Sequence, residues 1–98
     1  MEGKSYYVYI LTNRPQGALY IGMTNNLVRR MNEHRNGEIE GFTRGHDVKQ
    51  LVFYETYGEV SMALYREKQL KNWHRQWKIN LIEQFNKNWD DLFGLINQ

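Results

Sequence analysis

Tyr6-Tyr7-Val8-Tyr9-Ile10-Leu11, then Thr12-Asn13-Arg14-Pro15-Gln16-Gly17, then Ala18-Leu19-Tyr20-Ile21-Gly22 is the stretch that decides the fold. The two outer runs are β-branched, aromatic and aliphatic and read as strands. The middle run is a turn cluster holding the sole proline of the chain, so the pair predicts an antiparallel hairpin with a six-residue connection. Strand alternation sets Tyr7 and Tyr9 on one face, Val8 and Ile10 on the other. Tyr20 comes just before Gly22, where a missing side chain admits close approach of another backbone.

Outward from the hairpin, Thr24, Asn25 and Asn26 are N-cap candidates for a helix over 27–35 that Gly37 ends. Residues 36–49 are polar, with Gly37, Gly41 and Gly45, and predict an irregular loop. Gln50-Leu51-Val52-Phe53-Tyr54-Glu55-Thr56-Tyr57 reads as the third strand, bounded by Gly58. From 60 to 85 the pattern is helical and reads as two helices with a bend near 73–76. After the Asn86-Lys87-Asn88 break, a short helix over 89–96 is expected to dock Trp89, Leu92, Phe93 and Ile96 on the core. The order β-β-α-β-α-α implies an α+β architecture, three antiparallel strands flanked by helices.

The chain has 98 residues and no cysteine, which excludes a disulfide framework and a thiolate metal site. Its length fits one domain over 1–98, with a core segment over 6–77 and a helical segment over 78–98. Apolar runs are far shorter than the roughly 20 residues that cross a bilayer, and the first residues carry no signal-peptide pattern. A soluble cytoplasmic protein with no membrane partner is therefore expected. Thirteen basic residues against eleven acidic give a net charge of only +2, too small by itself to mark a nucleic-acid binder. The distribution is more informative. Arg66, Lys68, Lys71, His74, Arg75 and Lys78 face one acid, Glu67, and interleave with Trp73 and Trp77. Such a face permits phosphate contact, although a merely solvated helix carries the same charges.

Helical wheels show polar residues on the wrong faces. In the first helix Leu27 and Met31 lie about 40° apart and define the inward stripe; His34 falls about 20° and Arg30 about 60° from Leu27. Arg29 and Glu33, at roughly 160° and 120°, point away. An inward arginine needs a partner, a snorkelling route or a ligand. In the second helix Glu67 sits about 40° from Ala63 and about 60° from Leu70, with Leu64 on its other side. An i,i+4 pair with Lys71 would contribute only about 0.3–0.5 kcal/mol, too little to hold a carboxylate on a buried face.

Tyr7-Val8-Tyr9, Tyr20-Ile21-Gly22, Asn26-Leu27-Val28-Arg29-Arg30 and His34, followed by Glu67 in Ala63-Leu64-Tyr65-Arg66-Glu67-Lys68, resemble the GIY-YIG nuclease signature. The match spans about 6–77, and the chain closely resembles the small stand-alone bacterial GIY-YIG proteins. Tyr7 and Val8 stand where the signature has Gly and Ile, while its functional tyrosine is retained as Tyr9. The resemblance implies divalent-metal-dependent hydrolysis of phosphodiester bonds in DNA. Glu67 would hold one Mg²⁺ or Mn²⁺ as its sole protein ligand, water and phosphate oxygens completing the octahedron. Arg30 would stabilise charge on the phosphate. For the general base the resemblance offers Tyr9, Tyr20 or His34, the last with an ordinary pKa near 6.5 and so no handicap at neutral pH. Lys68, Lys71 and Arg75, with Arg44 in the glycine-rich loop, would contact phosphates without reading sequence. Weak sequence selectivity, a preference for branched or nicked DNA, and a protein partner supplying specificity are the corresponding expectations. A non-catalytic nucleic-acid-binding module of the same fold is the alternative; absence of Arg30 or Glu67 would favour it, and both are present.

Overall fold

The computed structural model describes residues 4–38 and 47–97. Strands β1 (Tyr6–Thr12) and β2 (Leu19–Thr24) form the expected antiparallel hairpin, with Tyr9 opposite Gly22 and Ile10 opposite Ile21. On its other edge β1 pairs antiparallel with β3 (Gln50–Tyr57), so the sheet order is β2-β1-β3. Helix α1 (Leu27–Arg35) follows β2; α2 (Val60–Asn72), α3 (Arg75–Phe85) and α4 (Phe93–Ile96) follow β3. Among the described residues three helices thus follow β3, two of them from the 60–85 stretch. Trp73 and His74 are both extended, at ψ 151° and 148°, and divide α2 from α3 where the bend was expected.

The sheet is covered on both faces, as the alternation in β1 requires. Val8, Ile10 and Ile21 pack with Ala63 and Leu70 of α2, Ile79 and Ile82 of α3, and Trp89. Tyr9 and Leu11 pack on the opposite face with Leu27 and Met31 of α1 and with Leu51; Leu92, Phe93 and Ile96 close that layer. Fully burying a side chain of this size stabilises by roughly 1.5–3 kcal/mol. No helix among the described residues is long and apolar enough to cross a membrane.

Two departures from the sequence reading share one cause. The β1–β3 register shifts between Ile10 and Leu11, which pair with Phe53 and Leu51 and leave Val52 opposite neither. This bulge puts consecutive residues Val52 and Phe53 into the same core layer. The carbonyl of Val52 accepts from Asn86 Nδ2 at 3.1 Å. Asn86 also donates to the Asp90 carbonyl and accepts from the Asp90 and Trp89 backbone N–H groups. Trp89 is held at φ 58° with its indole N–H on Glu83 Oε2 at 2.9 Å. The expected helix over 89–96 therefore begins only at Phe93, because a residue at positive φ cannot propagate a right-handed helix. Trp89 still docks, but on the α2–α3 face, opposite the layer that takes Leu92, Phe93 and Ile96.

Candidate active site

Asn26 caps α1: its side-chain oxygen accepts from the Arg29 N–H at 3.0 Å, and Leu27 anchors the first turn in the core. The cap fixes the phase of the helix, turning Met31 and His34 inward and leaving Arg30 half-buried at its edge. Arg30 Nε lies 3.1 Å from Glu33 Oε1, yet it is buried and poorly aligned, so it makes no hydrogen bond. Glu33, expected to point away, instead swings back to this pair.

Tyr9, Tyr20 and His34 come together although they belong to three elements. The Tyr9 hydroxyl is 3.2 Å from His34 Nε2. Ring centroids are 5.9 Å apart for Tyr9 and His34, 5.3 Å for Tyr20 and His34, and 6.3 Å for the two tyrosines. Gly22 makes room for the set. A Cβ there would lie 2.4 Å from the Tyr9 hydroxyl oxygen and 2.6 Å from its Cζ. The close approach is thus by a side chain, where sequence suggested a backbone. Val8 and Ile21 are buried on the opposite face, and Tyr7 is half-buried beside the α1 layer.

The electrostatics separate the three base candidates. Burial pushes the Tyr9 pKa well above the ordinary tyrosine value, and Tyr20 adds to the rise; Arg30 opposes it, and the Glu67 charge reinforces it. His34 is pushed down to about 4, first by burial and then by the Arg30 charge, against a smaller upward pull from Glu33. Tyr9 is fully buried and His34 is 3% exposed, so neither can touch substrate without rearrangement. Tyr20 is half-buried at the edge strand.

Glu67 comes from α2, its side chain 19% exposed. Lys71 Nζ reaches its Oε2 at 3.0 Å, so the intrahelical pair does form. Lys71 itself is 54% exposed. Leu64, expected to flank Glu67 within a buried stripe, is exposed, so only the Ala63–Leu70 side of the helix is covered. Among the described residues no group of three His, Cys, Asp or Glu gathers that could hold a metal ion. A lone, partly shielded carboxylate suits a hard cation that keeps most of its own water, as Mg²⁺ does.

The cationic candidates divide. Lys68 and Lys71 are exposed on α2. Arg75 Nη2 donates to the carbonyls of Gln16 and Gly17, both at 2.7 Å, which clamps α3 to the β1–β2 turn. Arg44 lies outside the described residues. Sequence reasoning missed the group that seats α2. Arg66 Nε and Nη2 donate to the two Glu55 oxygens at 2.9 and 3.0 Å, and the Tyr57 hydroxyl donates to Glu55 Oε1 at 2.7 Å. A single acid inside the third strand was the available signal; its partner, eleven residues on, was hidden among other cations.

The family model described as the GIY-YIG catalytic domain matches residues 5–80. A UPF0213 protein of Haloquadratum walsbyi is 39% identical over 79 residues, covering 81% of this chain and 88% of that protein. A UPF0213 protein of Clostridium perfringens is 40% identical over 76 residues, covering 78% and 81%. The solution NMR structure of the UPF0213 protein BH0048 from Bacillus halodurans superposes with a TM-score of 0.57 at 28% identity, covering 89% of this chain and 92% of that one. The hairpin signature, the α1 pair Arg30 and His34, and Glu67 of α2 all fall inside the matched segment, and the chain belongs to the GIY-YIG catalytic-domain family.

Proposed function

We propose that this protein is a divalent-metal-dependent endonuclease that hydrolyses phosphodiester bonds in DNA, selecting substrates by structure, such as branched or nicked duplexes, more than by sequence. The observation that supports this most is the gathering of Tyr9, Tyr20 and His34 from three separate elements, with the Arg30 and Glu67 charges both acting on the Tyr9 hydroxyl. Arg30 grips the phosphate; its buried, unsatisfied Nε shows a guanidinium whose hydrogen bonding Glu33 does not complete. Glu67 holds one Mg²⁺ or Mn²⁺, which when bound supplies positive charge for the phosphate and the leaving oxygen. Tyr20, the least buried of the three base candidates, accepts the proton of the attacking water as its phenolate, its own hydroxyl proton having passed to solvent. Tyr9 and His34 are positioning residues that hold the Tyr20 ring and the edge of α1. Lys68 and Lys71 contact neighbouring phosphates, and a protein partner adds specificity.

The test is cleavage of labelled linear, nicked, flapped and branched DNA and single-stranded RNA with Mg²⁺, Mn²⁺ or EDTA, alongside folded Glu67→Ala and Arg30→Ala. Metal-dependent cutting that both substitutions abolish supports the reading. Salt-sensitive binding without cutting by the wild type overturns it in favour of a non-catalytic binding module.

A further inference from the structure

Helix α2 buries Ala63 and Leu70 completely, yet leaves Leu64 and Tyr65 in solvent, Tyr65 by 67%. Single exposed apolar residues are ordinary. These two are set apart by what they adjoin. Ser61, Leu64, Tyr65 and Lys68 share one helical face and line, together with Glu67, an open recess of about 420 Å³. An aliphatic floor, an aromatic ring and a cation therefore share one recess with the carboxylate assigned above to the metal. On the other side of α2 the Glu55–Arg66 pair, with Arg66 also donating to Gln69, ties the helix to β3 and leaves this face outward.

We propose that the recess receives an unpaired nucleobase of the strand being cut, with Tyr65 as its stacking platform and Lys68 on the adjoining phosphate; the inference rests on the nuclease reading above. Charge favours a nucleotide as the occupant. A base is tethered through its sugar to a phosphate, so a phosphate held at Arg30 and Glu67 delivers its base or its neighbour's to this face, where Lys68 balances the next charge. Stacking on an aromatic ring is tolerant of base identity because every base has a π-face, which accords with weak sequence selectivity. A base inside a duplex must first unstack and unpair, at a cost of a few kcal/mol that is least where pairing is already lost. The preferred substrate class is DNA with unpaired nucleotides beside the cut: a flap, a gap or a single strand.

The experiment titrates the full-length protein, with Ca²⁺ in place of Mg²⁺ to hold off cleavage, against a single-stranded oligonucleotide carrying 2-aminopurine and the same sequence as a blunt duplex. Wild type is expected to bind the single strand more tightly and to quench the 2-aminopurine fluorescence. Tyr65→Ala is expected to lose the quench and weaken single-strand binding roughly tenfold, within the range of one base–aromatic stack, with duplex binding little changed. Tyr65→Trp should retain both signals. Equal single-strand binding by wild type and Tyr65→Ala overturns the proposal, as does a preference for the duplex. Tyr65-dependent self-association in sedimentation, without quenching, also overturns it and assigns the face to a second copy of the chain. Cleavage in Mg²⁺ separates the two readings. Tyr65-dependent quenching by a protein that never cuts keeps the base site and sinks the nuclease, whereas cutting that is identical in Tyr65→Ala sinks the base site alone.

Discussion

The Tyr9 hydroxyl and His34 Nε2 stand 3.2 Å apart inside the protein, although twenty-five residues separate them in the chain. His34 Nδ1 is buried without a hydrogen-bond partner. A buried N–H without an acceptor is rarer and costlier than a buried lone pair. The pattern therefore assigns the proton of neutral His34 to Nε2, which donates to the Tyr9 oxygen. Tyr9→Phe should remove the acceptor of this bond, leave Nε2–H unsatisfied and cost about 1–3 kcal/mol. Urea unfolding measures the cost, and ¹⁵N spectra of the imidazole report the tautomer.

Low pH acts through the same histidine. The folded pKa of about 4 lies below the ordinary 6.5, so between these values the unfolded chain binds a proton that the native state does not. Stability contributed by neutral His34 is thus complete above about 6.5 and is lost as pH falls toward 4. Unfolding midpoints across this window should decline with acid, and His34→Gln should flatten that decline.

Gly22→Ala is the sharpest steric test of the hairpin. The new methyl would meet the end of the Tyr9 ring, and that ring is fully buried and has no solvent to move into. Overpacking of this kind costs about 1–3 kcal/mol. Cleavage should fall more steeply than stability, because Tyr9 holds the ring of Tyr20 and the edge of α1. Thermal melts and cleavage rates on the same preparation check both.

Glu67→Gln should remain folded, since it loses only the i,i+4 pair with Lys71, worth about 0.3–0.5 kcal/mol. Millimolar Mg²⁺ or Mn²⁺ should raise the melting temperature of wild type through binding to the native state and leave that of Glu67→Gln where it was. An equal rise in both would remove Glu67 from the metal site.

The cations should separate by salt dependence. Lys68→Ala should lower the slope of log affinity for DNA against log salt by about 1, as loss of one phosphate contact does. Arg75→Ala should leave the slope unchanged and instead lower stability by about 1–3 kcal/mol, since its guanidinium is bound to the Gln16 and Gly17 carbonyls. Arg66→Ala belongs with Arg75→Ala, because its Nε and Nη2 are bonded to Glu55 and its Nη1 to Gln69.

The amino-acid sequence alone determined what depends on near neighbours. Alternation along Tyr6–Leu11 assigned faces to β1, Asn26 and Gly37 bounded α1, and β3 runs over the residues its apolar pattern marks. The inward lean of Arg30, His34 and Glu67 was also legible, since helical phase is local. What only the tertiary structure decided depends on partners distant in the chain. The bulge at Val52 exists because β3 must satisfy β1 and Asn86 together, and it moves Phe53 to the face its alternation would deny it. Trp89 ends up at positive φ for the same network, against its own helical pattern. Arg66 and Arg75 look alike in a list of charges, and the structure makes both of them clamps once Glu55 and the Gln16–Gly17 turn arrive beside them. Tyr9, His34 and Tyr20 carry little chemistry apart. Burial on one sheet face lowers the dielectric around Tyr9 and His34, and that shared environment, which no local spacing encodes, shifts the proton affinities of those two.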